Sequence, residues 1–424
     1  MDAPTFTVIF LALLVSSVVV QVWLARRQIR HVSALRDAVP TDFAGQVSPE
    51  GHAKAADYSS ANERVGLVKL AFGTLVLLGW TLFGGLDALN AWILPHTLEP
   101  LGPLGYQVAL VFAFSLIGSS LDLPFDWYSH FRIEQRFGFN RMSIGLWLSD
   151  LVKNLILSTV IGLPLIAVVL WLMGVAGSLW WLWAWIFWMA FNLLLLVLYP
   201  MFIAPLFNKF EPLQDEALEK RVSSLMQRCG FSAKGLFVMD GSKRSAQSNA
   251  YFTGIGSSKR VVFYDTLLAR LTHSELEAVL AHELGHFHHK HIVKLIAQMF
   301  IASLLAFGAL GWLAEQDAFF AGLGVPPNAT APNDALALLL FGLSAPLAGF
   351  FLAPLMNLAS RRHEFEADAY ACDKTSGAEL RSALLKLTED NASTLTPEPL
   401  YVRFYYSHPP MTERLAALRL TPMH

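Results

Sequence analysis

Cysteine is almost missing from this 424-residue chain: Cys229 and Cys372 are the only two. They cannot staple a disulfide framework, and they exclude a four-cysteine metal site. Charge is scarce as well. Lys, Arg, Asp and Glu make up 15% of the residues, against ~25% in an average soluble domain. The 31 basic and 33 acidic side chains nearly cancel, which excludes a basic nucleic-acid surface and a charged disordered tail, so no nucleic-acid partner is expected. Internal repeats and low-complexity tracts are absent, and from Leu155 to Phe207 no residue is charged. What fills the chain instead is apolar: 54% hydrophobic residues, with 12 Trp and 30 Phe, at a mean hydropathy of +0.45. At ~150 residues per domain the length would suit two or three soluble domains. The composition points to lipid as the solvent for much of the protein.

A bilayer-crossing helix needs ~20 apolar residues, and seven stretches qualify, near 6–25, 70–86, 104–121, 155–173, 179–199, 295–314 and 335–358. The uncharged run from Leu155 to Phe207 is too long for one helix, and Gly174 and Gly177 mark the turn of a helical hairpin. Met1-Asp2-Ala3-Pro4 carries no basic residue, whereas Arg26, Arg27 and Arg30 follow the first apolar core. That order suits an uncleaved anchor with its N-terminus outside, not a signal peptide. Every Lys and Arg falls in 26–69, 122–153, 208–294 or 361–424. The alternate connections hold no Lys or Arg and carry Asp2, Asp87, Glu99, Glu315, Asp317 and Asp334 instead. Basic segments remain in the cytosol, so those four are expected there. The chain then divides into five spans over 1–207, a cytosolic segment at 208–294, two spans over 295–358 and a cytosolic segment at 361–424. The fold class is an all-α multi-pass membrane protein with a small α+β domain on its cytosolic side.

The segment 208–294 opens with a helix from about Leu213 to Cys229, stopped by Gly230. Strand-like runs follow at Gly235–Asp240 and Lys259–Asp265, and the stretch Asn249–Gly254 between them reads as a third strand and turn. Thr272 and Glu275 form a capping box ahead of an apolar helical pattern. That helix carries His282-Glu283-Leu284-Gly285-His286. Histidines four apart share one helix face and can ligate one Zn²⁺, and Glu283 beside the first is placed to take a proton from an attacking water.

Zinc hydrolases supply three protein ligands and leave a position open. The third is sought in Arg361-Arg362-His363-Glu364-Phe365-Glu366-Ala367-Asp368, where Glu364 and Asp368 are again four apart. One carboxylate can bind metal while the other receives an imidazole N–H. The same run reads equally as a charged collar at a membrane edge, and Glu366 is placed in that collar. At 1.5 Å per residue, His286 lies about 13 Å from the span at 295 and Glu364 about 9 Å beyond Leu358. The metal half-sites are thus extensions of two membrane helices, and substrates with an apolar part become plausible.

With these residues the chain resembles the CAAX prenyl proteases of the integral-membrane zinc type. Further likeness lies in Ser248-Asn249-Ala250-Tyr251-Phe252-Thr253-Gly254, Lys259-Arg260, Tyr264-Asp265-Thr266-Leu267 and Ser407-His408-Pro409-Pro410 leading to Arg414. The resemblance implies seven helices around an intramembrane chamber, with a gluzincin-type protease domain and one Zn²⁺ per chain. It implies His282, His286 and Glu364 as ligands, Glu283 as general base and Asp368 as the residue orienting a ligand histidine. Asn249 and Ala250 would pair with the substrate backbone, His408 would support the oxyanion, and Arg414 would hold the substrate's C-terminal region. The implied activity is removal of the last three residues after a prenylated cysteine of a peptide or protein substrate.

Other readings stay open at this point. His408 before two prolines also suits a helix boundary. His288, His289 and His291 are surplus, with His289 read as a surface residue. The Trp180–Trp188 cluster reads as an interfacial belt, and Glu134–Arg141 matches a family segment without a chemical role. A quality-control membrane protease would share the same catalytic residues. A seven-helix transporter or receptor with a structural metal would not need Glu283. The chain ends without a retrieval signal at Thr421-Pro422-Met423-His424, so a bacterial inner membrane is favoured over the endoplasmic reticulum. The oligomeric state is not fixed.

Overall fold

Long apolar helices dominate the computed structural model, which describes residues 1–231, 235–253 and 260–420. Among the described residues six helices are long and apolar enough to cross a bilayer: Ala3–Ala34, Gly85–Phe137, Ile144–Val175, Gly177–Phe207, His291–Ala314 and Asp334–Lys374. They contain six of the seven expected spans. The remaining one, 70–86, is not a single helix. Its first part ends the helix Pro49–Trp80, and the chain turns at Gly84, with φ 75°, before Gly85 opens the next helix. Glu63, Arg64 and Lys69 dilute the apolar character of that last stretch.

The hairpin turn falls where the glycines place it, with Gly177 left-handed at φ 64°. The Trp180–Trp188 cluster is more than a belt. Trp181 lies so close to the helix His291–Ala314 that a Cβ on Gly311 would sit 2.8 Å from its ring. Trp185 Nε1 donates to Phe300 O at 3.2 Å. Trp181 and Trp185 thus serve helix–helix packing, and glycine on the facing helix permits the close approach of Trp181.

The soluble part is a four-stranded sheet with helices on it. Its strands are β1 (Phe210–Pro212), β2 (Leu236–Met239), β3 (Ala250–Thr253) and β4 (Arg260–Tyr264), in the order β1-β2-β4-β3. The expected strands at 235–240 and 249–254 are β2 and β3, and β4 fills 259–265 from Arg260; Gly254 and Lys259 lie outside the described residues. β1 has no period-2 signal in so short a run. The expected helix at 213–229 is Glu216–Arg228, capped by Asp215 and closed by Gly230 at φ 72°.

All four basic segments meet at this end of the molecule. Phe43 and Val47 join one core with Leu218, Phe263, Leu276, Leu284, Tyr370 and Leu415. Ile133, Phe137 and Phe139 form a second with Ala55 and Ala392. Glu134–Arg141 acts here as a structural bridge. Asn140 pairs with Ser245, Arg141 N donates to Arg244 O at 3.0 Å, and Arg244 grips Asp150 at 2.9 and 3.1 Å. The membrane helices and the sheet are clamped by a largely sequestered ion pair.

Candidate metal centre

The capping box forms as read: Thr272 N donates to Glu275 Oε2 at 2.7 Å and Glu275 N to Thr272 Oγ1 at 3.3 Å. Glu275 also accepts from Ser382 at 2.6 Å and Lys386 at 2.8 Å, so the cap ties the motif helix His273–His288 to the helix Gly377–Asp390. Against its other side runs the 41-residue helix Asp334–Lys374. The two approach closely because Gly285 has no side chain; a Cβ there would stand 2.9 Å from Ala367 Cα.

That approach brings two i,i+4 pairs face to face. His282, His286 and Glu364 offer donor atoms that all lie within 4.8 Å of one another. His282 Nε2 is 3.5 Å from Glu364 Oε2, and His286 Nε2 is 3.4 Å from Glu364 Oε1. Glu364 is buried, and its Oε2 has no hydrogen-bond partner. A buried carboxylate oxygen left unmatched beside two imidazole nitrogens suits a divalent cation, and the mixed nitrogen–oxygen donor set suits a borderline metal.

Supporting residues fix each imidazole. His282 Nδ1 meets Asp368 Oδ1 at 2.8 Å. Asp368 in turn accepts from Arg414 Nε at 2.8 Å and Nη2 at 2.5 Å, a buried bidentate pair. Arg414 is thus occupied with Asp368, and its Nη1 lies 3.7 Å from Glu364. On the other ring, His286 Nδ1 lies 3.0 Å from His291 Nδ1, and His291 Nε2 is 2.8 Å from Glu366 Oε2. Sequence reasoning missed this pair, treating His291 as surplus and Glu366 as collar. On a continuous helix, residues five apart point about 140° away from each other. Lys290 adopts φ 56°, ψ 35° and splits the helix, and His291 restarts it facing back. A left-handed lysine carries no sequence signature, so nothing in the chain would have betrayed it. His289 is only part-buried, with its ring stacked on His291 at 5.5 Å.

The other expected residues gather around the same space. A cavity of about 430 Å³ is lined by Ser248, Asn249, Ala250, Glu283, His408 and Arg414, together with the three donor residues. Ala250 opens β3, the last strand of the sheet. Asn249 is exposed, and its Oδ1 accepts from Ala250 N at 2.8 Å. His408 is exposed and reaches Glu364 Oε1 at 3.5 Å. It is held there by its segment: Arg361 donates to Tyr406 O at 2.6 Å, and Asn357 to Phe404 O at 2.6 Å. Pro409 and Pro410 then lead into the helix Met411–Leu420, so the helix-boundary reading of His408 holds, and the same side chain lines the cavity.

Electrostatics sort the titratable groups. Burial lowers His282, but its hydrogen bond to Asp368 and the adjacent Glu364 carboxylate outweigh it and lift the imidazole to about 9. Burial and the charge on His282 push His286 down to about 4. Two ring nitrogens 3.2 Å apart cannot both stay charged. Burial raises Glu283 above the ordinary carboxylate range, against the pull of His282.

A membrane-embedded helical frame carrying a His-x-x-x-His helix, a distant glutamate and a cavity-lining Glu283 defines a membrane metalloprotease. Residues 28–209 match the CAAX prenyl protease N-terminal region with five membrane helices, and residues 212–421 match peptidase family M48. The chain is 33% identical to CAAX prenyl protease 1 of Saccharomyces cerevisiae, over 93% of this chain and 91% of that one. It is 33% identical to a CAAX prenyl protease 1 homolog of Arabidopsis thaliana over 92% of each, and 30% to that of Homo sapiens over 100% and 98%. The crystal structure of S. mikatae Ste24p superposes with a TM-score of 0.91 at 30% identity, covering 97% of this chain and 99% of that one. The chain belongs to the membrane CAAX prenyl proteases of peptidase family M48 and is a metalloendopeptidase of that type.

Proposed function

We propose that the protein binds one Zn²⁺ and cleaves prenylated peptides, removing the last three residues after the modified cysteine. The observation that carries this is the position of the donor set: Glu364 rides on the same unbroken helix as a membrane span, so the scissile bond is held at the bilayer surface. A lipid chain on the substrate can then stay among apolar helices while its peptide enters the cavity.

His282, His286 and Glu364 hold the metal. Zinc, when bound, acidifies a water and polarises the scissile carbonyl. Glu283 takes the proton of the attacking water and returns it to the leaving amine. His408, at the open side of the cavity, donates to the developing oxyanion. Asn249 and Ala250 at the sheet edge pair with the substrate backbone, as an edge strand does. Asp368 holds His282, and Arg414 acts through Asp368, with its remaining edge on the cavity wall toward the substrate's C-terminal region.

Residues 70–86, though bent, complete seven spans around an intramembrane chamber. Supporting this, the most apolar stretch of His291–Ala314 contains no fully buried residue, so the helix is loosely surrounded by its neighbours. A cavity of about 540 Å³ lined by Ser115, Ser119, Asn154, Thr159 and Tyr199 also opens among three spans. The distribution of Lys and Arg puts the N-terminus outside and the site in the cytosol, with a bacterial inner membrane favoured.

The test is cleavage of a farnesylated C-terminal peptide and its unprenylated twin by detergent-purified protein, beside Glu283→Ala and a chelated sample. Cutting of the farnesylated peptide alone, lost in both controls, supports the reading. Equal cutting of both peptides sinks the prenyl requirement and leaves a general membrane protease. No cutting, with metal bound and Glu283→Ala behaving as wild type, sinks the enzyme assignment.

A further inference from the structure

A second cavity, of about 590 Å³, lies beside the catalytic one and shares Leu384, Leu387, Asn391, His408 and Arg414 with it. Its far wall is unlike that of the first. Tyr58, Tyr401 and Tyr406 line it, and Glu63 stands among them. Tyr401 Oη donates to Glu63 Oε1 at 2.5 Å. No Lys, Arg or His pairs with Glu63 among the described residues, whereas the buried acidic groups Glu398 and Asp150 each hold an arginine. Burial raises the Glu63 carboxyl above its ordinary range, the Tyr401 hydrogen bond opposing only in part. A carboxylate kept half-buried without a counter-charge is a cost that an arriving cation would relieve. Aromatic faces around it add cation–π attraction. Arg414, on the shared wall, does not cancel this field, because Asp368 already neutralises it.

The wall is also rigid enough to select. Tyr58 packs on Phe137 and Phe139 with ring centroids 5.1 and 5.0 Å away. Tyr401 packs on Tyr405 at 4.5 Å. Gln28 accepts from Glu398 N at 2.8 Å, fixing the start of the helix Pro399–Tyr405.

We propose that this second cavity is a specificity subsite, in which Glu63 and the tyrosines receive a lysine or arginine side chain of the peptide being cleaved. The proposal deepens the peptidase reading above and rests on it.

The experiment measures binding, so that it does not stand or fall with turnover. Peptides carrying lysine, norleucine or glutamate at each position flanking the scissile bond are titrated onto metal-loaded Glu283→Ala protein and onto Glu283→Ala/Glu63→Gln. At one position lysine should bind at least roughly ten-fold more tightly than norleucine, and the two should bind alike once Glu63 is Gln. Glu63→Lys should reverse the preference toward glutamate, a result that only a folded site can give. Lysine and norleucine binding equally at every position overturns the proposal, as does a lysine preference that survives Glu63→Gln. Cleavage of the same peptides by the Glu63 protein without the Glu283 change tests the peptidase reading by itself.

Discussion

His286 Nδ1 and His291 Nδ1 lie 3.0 Å apart, and that distance settles which way both rings are protonated. His291 Nε2 faces the carboxylate of Glu366 at 2.8 Å, so it carries the hydrogen. A neutral His291 then accepts at Nδ1, His286 donates from Nδ1, and His286 Nε2 keeps a lone pair toward Glu364. Asp368 does the same for His282 in one step. Each imidazole is therefore turned, with Nε2 toward the metal position, by its own carboxylate, one directly and one through a histidine.

Replacing His291 breaks the longer relay. His291→Ala should lower metal affinity by about 10–100-fold, the range for partners of ligand histidines, and Glu366→Gln should cost less because its amide still accepts. Competition against a chromophoric chelator reads both. Unchanged affinity in His291→Ala would mean that packing alone orients His286.

Glu283→Gln keeps shape and, on the proposed mechanism, loses the base. Turnover should fall by about 10²–10⁴-fold while metal content stays at the wild-type level. In the unmodified protein, activity should be lost as pH falls through the carboxyl's raised value, above the ordinary 4.5. A pH–rate profile of kcat/KM checks this, and an acid limb at or below 4.5 would assign the base elsewhere.

Gly285→Ala tests the close approach of the two site-bearing helices. The added Cβ meets Ala367 Cα at 2.9 Å and its carbonyl oxygen at 3.1 Å, both backbone, so a helix must move. Such overpacking costs about 1–3 kcal/mol. Because Glu364 and Asp368 flank Ala367, metal affinity should drop together with Tm. A fall in Tm with metal affinity intact would separate the helix contact from the site.

Much of this was legible from one sequence, for identifiable reasons. Spans are long and apolar, so the six helices long enough to cross a bilayer could be read from composition alone. The i,i+4 spacings of His282/His286 and Glu364/Asp368 expose two helix faces that fit one another. What stayed hidden depends on single backbone torsions and on tertiary docking. Lys290 in the left-handed region re-aims His291. Gly84 splits the span expected at 70–86. Glu134–Arg141 matters through backbone contacts to Arg244 and Ala246, which no side-chain pattern records. Glu63 looks like an ordinary surface acid until Tyr58, Tyr401 and Tyr406 are folded around it.

Arg414 illustrates how a buried charge serves the site through a neighbour. Its guanidinium binds both oxygens of Asp368 at 2.8 and 2.5 Å, and both residues are buried. Removing one partner of such a pair strands the other, at a cost of about 3–5 kcal/mol. Arg414→Leu should therefore lower Tm sharply, and Arg414→Lys should recover only part of it, since an ammonium cannot hold both oxygens in plane. The double variant Arg414→Leu/Asp368→Leu should be more stable than Arg414→Leu alone, because no charge is stranded. Thermal unfolding of the three in metal-free buffer decides, and a double variant no more stable than Arg414→Leu would overturn the argument.

Metal uptake should also move a proton. His282 is lifted to about 9 by its carboxylate neighbours, so in the metal-free protein at pH 7 it is protonated. A ligand imidazole must be neutral, so loading expels that proton. The sign follows directly: a raised imidazole opposes metal while protonated, and its opposition fades as pH climbs toward its own value. Affinity should rise about ten-fold per pH unit between 7 and 9 and then level off. Calorimetric titration in buffers of differing ionisation enthalpy should show about one proton released per metal at pH 7, and fewer at pH 9. The same titration on Asp368→Asn separates causes. Without the carboxylate, His282 returns toward the ordinary range, so proton release at pH 7 should shrink even though the metal binds more weakly. Undiminished proton release in that variant would move the proton from His282 to another group.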